Sequence, residues 1–340
     1  MQNQRTGEIG LTRPLIPENI FTRLGSRLFR VELRLEERLC FPEYPGVTVR
    51  GGFGYALRRL VCPQPEQPCG TCTQRFSCAY SFLFETPVPP ELPTRRTFDK
   101  APHPIVLRCN PGKRLLDTGE CVTVDLLLIG HAVGHLPTCL LALSRLGRMG
   151  LGRDNVPFKV VRVVDIDDGD EVFGDSQAVQ LRAPMPFKPA GDQPVQELRE
   201  VEVVFRSPVQ FRNNGRVARS IPFHLLIRNL LRRFSLLSLF HAGRDPDLDY
   251  RGLIKQAESV VTAEEELHFT KIERYSTRQK RRIAMHALKG SVIYRGDVAT
   301  FTSLLSFGER FHAGRGTSFG MGWMTVNVAG ERASGAKVAP

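Results

Sequence analysis

Four thiols crowd into seventeen residues: Cys62, Cys69, Cys72 and Cys78. The spacing Cys-x6-Cys-x2-Cys-x5-Cys has the ligand number of a structural metal site. Four thiolates around a zinc ion would staple a segment too polar to fold alone. An iron–sulfur cluster takes the same four ligands and is the alternative, as are four reduced, unliganded thiols. Catalysis at this metal is not expected, because four cysteines fill the shell. A second stretch, Gly308–Trp323, reads GERFHAGRGTSFGMGW. Its glycines permit positive φ and close backbone approach. Exposed N–H groups beside Arg310 and Arg315 suit a phosphate. The stretch lacks the Rossmann context and the GxxxxGK[ST] pattern. A glycine-rich turn between a helix and a strand is the simpler alternative. A third stretch, Lys271–Lys289, carries Lys271, Arg274, Arg278, Lys280, Arg281, Arg282 and Lys289, with Tyr275 and His286 among them and Glu273 as its one acid. Such a run neutralises phosphates, and an interleaved ring can stack on an unpaired base.

Histidine supplies acid–base chemistry near neutral pH. His131 and His135 read HAVGH, without the metalloprotease glutamate, and start a helix. His103 lies between two prolines. His312, inside the glycine stretch, and His224, at the head of a polar stripe, are the acid–base candidates. The acidic turn Asp165–Asp170 is a cation site at most and more simply a solvated turn.

These residues need elements to position them. Arg27–Leu35 alternates as a half-buried strand does. Gly46–Leu60 becomes helical from Phe53. Pro104–Cys109, Cys121–Ile129 and Phe158–Val164 read as strands, and Leu136–Leu146 has helical periodicity. Residues 1–25 read as a loose lead-in, and residues 168–198 as edge structure and a linker. In the second half, Val201–Phe205, Leu267–Tyr275, Ser291–Val298 and Trp323–Val328 suit strands. Pro222–Ala242 is a long apolar helix whose His224, Arg228, Arg232 and Ser235 form one stripe. Ala299–Phe307 suits a short helix. Both halves run β-α-β-β-α-β, the ferredoxin-like pattern. The fold expected is therefore α+β: tandem ferredoxin-like, RRM-like domains with antiparallel sheets. Residues 1–196 form the first domain, with a cysteine-rich insertion at 62–78. Residues 197–330 form the second, with the glycine-rich loop at 308–323.

The chain has 340 residues, 47 Lys and Arg against 35 Asp and Glu, and a formal charge of +12. That surplus favours a polyanionic partner. No apolar run reaches the ~18 residues that span a bilayer. Met1–Thr12 is polar, without a signal-peptide core, so a cytosolic, cytoplasmic setting is expected. Disulfides are not expected there, and Cys40, Cys109, Cys121 and Cys139 read as small core residues.

With the tandem pattern, the basic face and GRGTSFGMGW on the page, the chain resembles the RAMP superfamily of CRISPR proteins. More narrowly it is similar to the CRISPR repeat-processing endoribonucleases. That likeness rests on RGGFGYALRRLVC…C-x2-C-x5-CAYSFLFE with PHPIVL, on ERYSTRQKRR leading to KGSVIYRGDVATFTSLLSFGE, and on FHAGRGTSFGMGW. The resemblance implies metal-independent cleavage of precursor RNA within repeats. A ribose 2′-hydroxyl would attack the adjacent phosphate and leave a 2′,3′-cyclic end. It also implies RNA binding by Gly314, Arg315, Gly316, Thr317, Gly320 and Gly322. Many relatives use a histidine near the first helix, and this chain has none around Gly51–Leu60. The expected catalytic set is therefore His312 with Arg315, with His224 second and Tyr55 beside Arg58 as a weaker pair. Arg228, Arg232 and the basic run 271–282 would hold the RNA. The alternative is a non-catalytic RNA-binding subunit of a CRISPR effector complex. A zinc-stabilised DNA-binding regulator is a more distant reading.

Overall fold

A computed structural model of the chain describes residues 16–91, 98, 101–109, 112–174, 179–189, 198–213, 215–276 and 281–328. The side chains of Glu18, Arg274, Tyr275, Ser276 and Arg282 lie outside that description.

The first half is built as β1 (Gly25–Leu35), α1 (Pro45–Val61), β2 (Ile105–Cys109), β3 (Cys121–Ile129), α2 (Leu136–Met149), β4 (Phe158–Asp165) and the short β5 (Glu171–Phe173). The strands pair antiparallel in the order β2-β3-β1-β4-β5. The reason for β1 is visible in its alternation: Phe29, Val31, Leu33 and Leu35 are all buried. α1 starts on Pro45, whose fixed φ suits the first helical turn. It buries Val49, Phe53, Ala56 and Leu57 as one face. α2 buries Leu136, Cys139, Leu140, Leu143 and Leu146 at helical spacing, and Gly150, at φ 88, ends it.

The second half repeats the plan: β6 (Glu200–Val209), α3 (Phe223–His241), α4 (Tyr250–Ala257), β7 (Val261–Ser276), β8 (Arg281–Arg295), α5 (Thr302–Phe311) and β9 (Met324–Val328). Its sheet order is β7-β8-β6-β9, again antiparallel. Both sheets thus have the ferredoxin-like order, and the tandem α+β architecture is observed. β7 and β8 run well beyond the segments the sequence marks as strands. They form a hairpin paired from Val261↔Arg295 to Ser276↔Arg281.

The sheets share more than a linker. Along β3, Leu126 and Leu128 enter the first core, whereas Leu127 and Ile129 enter the second. Val106 on β2 joins them there. A strand buried on both faces reads as a continuous apolar run, which explains Leu126–Ile129. The lead-in is also structured: Glu18–Arg23 is a short 3₁₀ helix. Its Phe21 packs 4.4 Å, centroid to centroid, from Phe234 of α3.

Other expectations are revised. Cys109 and Cys139 are buried, but Cys40 and Cys121 are exposed. Ser235 leaves the polar stripe, since its buried hydroxyl donates to Asp245 at 2.5 Å. The acidic turn is solvated at Asp168 and Asp170, while Asp165 is buried and Asp167 half-buried. Arg27 bonds Asp165 and Asp168 at 3.0 and 2.5 Å, and Arg310 holds Asp167. His131 and His135 sit in a 3₁₀ turn leading into α2, as the HAVGH reading expects. The domain boundary at residue 196 lies outside the described residues. Among the described residues no helix is long and apolar enough to cross a membrane.

Candidate nucleic-acid interface

The glycine-rich loop is the seam between the halves. It leaves α5 at Phe311 and reaches β9 at Met324. Gly320 sits at φ 79, where a Cβ would stand 2.5 Å from the Leu107 carbonyl of β2. Gly322, at φ 71, would meet the Ala313 carbonyl at 1.8 Å. Only glycine fits both the backbone angle and the space. The Tyr44 hydroxyl, just ahead of α1, donates to the Phe319 carbonyl at 2.8 Å. Arg50 of α1 lies 4.5 Å from the centroids of both Phe84 and Phe319.

This placement corrects the picture of a loop with free N–H groups. Those of Ala313, Arg315, Gly320 and Gly322 are spent on Gly322, Gln210, Thr317 and Pro208 at 2.8–3.0 Å. Thr317 is buried, while Arg315 is exposed. His312 is corrected as well. It is 1% exposed, at φ 65, with Nδ1 3.0 Å from the Met321 carbonyl oxygen. Burial first, then Arg108, drives its pKa well below the ordinary histidine value. Buried at this depth, the imidazole is not presented to a ligand at the surface.

Beside the loop a cleft of about 390 Å³ opens between the halves. Its walls come from the start of α1 (Tyr44), from β2 (Arg108), from β6 (Arg206, Ser207) and from β7 and β8 (Lys271, Lys289). Gly320 and Trp323 line it too. Four cations face two carboxylates, Glu43 and Glu273. Lys289 on β8 lies directly across from His268 on β7, on the same face as Thr270 of the lining. Arg108 bonds Asp125 at 3.0 Å and lies 4.7 Å from the Trp323 ring centroid. Burial lowers its pKa, against the raising effect of Asp125. Arg206 donates to Thr325 Oγ1 at 3.0 Å, and Lys271 pairs with Glu273 at 2.8 Å. Burial raises the Tyr44 phenol, so it stays protonated near neutral pH and can donate.

The expected residues therefore separate. Lys271 and Gly320 line the cleft. Arg315 belongs to a second basic surface, where burial and then Arg212 and Arg232 lower its pKa. Arg228 donates to Asn213 of the neighbouring turn at 3.2 Å. Gly314 and Gly316 take positive φ at the start of that surface. His224 is half-buried in the first turn of α3, and Tyr55 is 43% exposed on α1 beneath Arg59; neither lines the cleft. The set His312, Arg315, His224 and Tyr55 is thus not brought together. Arg281 starts β8 and is exposed, and the backbones of Arg274 and Arg282 lie on the β7–β8 hairpin. Arg278 and Lys280 lie outside the described residues. Cys62, Cys69, Cys72 and Cys78 line one cavity of about 160 Å³.

Sequence reasoning missed Tyr44, Arg108, Arg206 and Trp323, and placed Lys289 only within a charged run. The signal was there for two of them. Arg108 interrupts the apolar strand IVLRC, and Arg206 closes VEVVF. An arginine ending an apolar strand must reach either a buried acid or a cleft.

Comparison with known proteins bears on the fold. Residues 203–324 match the family model of the CRISPR-associated endoribonuclease Cas6. Residues 25–184 match a model described as an N-terminal domain. An uncharacterised protein of Archaeoglobus fulgidus is 28% identical over 307 residues, covering 86% of this chain and 96% of that one. A Cas6 product complex superposes with a TM-score of 0.52 at 16% identity, over 89% of this chain and 99% of the other. Thermus thermophilus Cas6 gives 0.50 at 15%, with the same coverage. A chain of a partial Cas6-RT-Cas1–Cas2 complex gives 0.55 at 11%, over 92% of this chain and 48% of that one. At these identities the superpositions speak for the fold. The second half thus matches the Cas6 endoribonuclease model, and the whole chain has the tandem ferredoxin-like fold of solved Cas6 proteins.

Proposed function

We propose that this chain binds CRISPR repeat RNA along the interdomain cleft and cuts it without a metal ion. The carrying observation is the convergence of Arg108, Arg206, Lys271 and Lys289 from both halves onto one groove beside the glycine-rich loop. Cations there neutralise phosphates, and Trp323 on the lining is an aromatic side chain of the kind bases stack on. Attack by a 2′-hydroxyl needs a base, an acid and charge around the phosphorane. The cleft supplies positive charge from Arg206 and Lys289, and N–H donors on both. Arg315, Arg232 and Arg228 would carry the strand beyond the groove. Association with other CRISPR proteins is a further expectation.

A second reading, RNA binding without cleavage, has one specific support. No histidine is among the described residues lining the cleft. Incubating the protein with end-labelled repeat RNA in EDTA separates the two. One specific cut with a cyclic phosphate end favours the nuclease. Tight binding with intact RNA favours the binder. Absence of repeat binding refutes both.

A further inference from the structure

The four clustered cysteines lie outside the cleft, in the insertion that follows α1. Residues 62–78 contain no buried residue. Six of them turn part-way inward, and four of those six are Cys62, Cys69, Cys72 and Cys78. The one aromatic residue of the segment, Phe76, is 48% exposed with Arg75 above its ring. The segment thus has no apolar core. What it holds in common is a cavity lined by all four cysteines.

Short backbone turns bring the four cysteines to the lining of that cavity. Cys62 caps α1, its N–H bonded to Arg58 O at 2.9 Å. Cys69–Thr71 is a 3₁₀ turn, and Cys72 N bonds Cys69 O at 3.2 Å. Cys78 N bonds Gln74 O at 3.0 Å. Arg58 stands within electrostatic reach of Cys62 and Cys69, and its Nε is buried with no acceptor among the described residues. A guanidinium there offsets the negative charge of a tetrathiolate centre. As the side chains are placed, no three His, Cys, Asp or Glu of the described residues stand in metal-binding geometry. Such shells close on the metal, as the thiols release their protons to it.

We propose that Cys62, Cys69, Cys72 and Cys78 form one tetrahedral thiolate site that takes zinc and braces the α1 wall of the cleft. The bracing follows from connectivity. Cys78 O accepts from Phe82 N at 2.9 Å and leads directly into the π-helical turn Ser81–Glu85. That turn seats Phe84 against Phe53 of α1, with centroids 5.5 Å apart. Phe84 in turn flanks Arg50, whose other face meets Phe319 of the glycine-rich loop. The metal site therefore holds one end of a contact chain that reaches the seam. It leaves no open ligand position and takes no part in RNA chemistry.

The test is elemental analysis of protein purified under reducing conditions without added metal. One zinc per chain is expected. On exchange with cobalt, the intense visible bands of a tetrahedral cobalt thiolate should appear. Iron with acid-labile sulfide, disulfide-linked pairs, or no bound metal would each overturn the proposal. Because Cys72→Ser can fail to fold, the wild-type protein carries a second readout. Chelation under mild denaturant should make residues 63–77 the first site of proteolysis. Equal cleavage there with and without metal would refute the bracing role. Neither readout depends on RNA, so the zinc site and the nuclease reading stand or fall separately.

Discussion

Arg310 and Asp167 meet across the seam in a fork of two parallel contacts, each 2.7 Å long. Arg310 comes from α5 and Asp167 from the turn after β4, so the pair ties the two halves together. Arg310 Nε also donates to Ser26 at 2.9 Å, and Asp167 accepts from Leu28 N at 3.0 Å. Burial raises the Asp167 carboxyl, but Arg310 outweighs it and holds the group below its ordinary value. Planar bidentate pairing is what arginine does and lysine cannot.

Removing one partner leaves a mostly buried charge alone. Arg310→Ala is expected to cost about 3 kcal/mol in urea unfolding, and Arg310→Lys to recover only part of it. The folded carboxyl is depressed, so its contribution is complete above the usual aspartate range and is lost as pH falls below it. The difference between wild type and Arg310→Ala should therefore shrink below about pH 4. A difference that persists unchanged at lower pH would show that the pair does not titrate this way.

His312 holds structure. His312→Ala removes its hydrogen bond to Met321 and leaves a hole in a packed seam, at a cost of about 1–3 kcal/mol. Cleavage per folded molecule should stay within about twofold, a difference of under 0.5 kcal/mol in barrier. Complete loss of cutting by a fully folded variant would return His312 to the mechanism.

Acid should loosen the molecule through its buried histidines. Burial pushes His241 down to about 4, and Nε2 lies 2.8 Å from the Pro102 carbonyl. In the unfolded chain the same ring titrates near ~6.5. A depressed folded value means stability present above ~6.5 and lost as pH falls toward about 4. Thermal unfolding from pH 7 to pH 5 should show Tm falling, and His241→Gln should flatten the fall. An equally steep fall in the variant would assign the effect to other groups.

Gly320 and Arg315 separate the loop's two duties. Gly320→Ala places a methyl on the Leu107 carbonyl at positive φ and should destabilise by about 3 kcal/mol. Arg315→Ala should leave stability within about 0.5 kcal/mol. It should lower the salt slope of RNA binding by about 0.7, one single-strand contact. Equal stability losses in the two variants would contradict this division.

Much of the fold was legible because it rests on periodicity. The alternation of Arg27–Leu35 and the helical spacing of Leu136–Leu146 have one solution each. The tandem order followed from the repeat of these patterns. The site was less legible, because it lies between halves that the chain separates by roughly a hundred residues. Tyr44 and Trp323 carry no local signal that they face one groove. His312 misled because a histidine among glycines looks exposed, whereas these glycines exist so that backbone can pack tightly against backbone. The hairpin of β7 and β8 was underestimated because charged residues on its outward face mask a strand as a solvated run.

Trp323 is the single tryptophan of the chain and it lines the cleft, which makes it a direct reporter of the central claim. Repeat RNA should be titrated into the protein while tryptophan emission and filter retention are followed together. The account predicts coincident curves, and Arg206→Ala with Lys289→Ala should weaken both and lower the salt slope by about 1.4. Full retention of RNA with unaltered Trp323 emission, and an unchanged slope in the double variant, would contradict it.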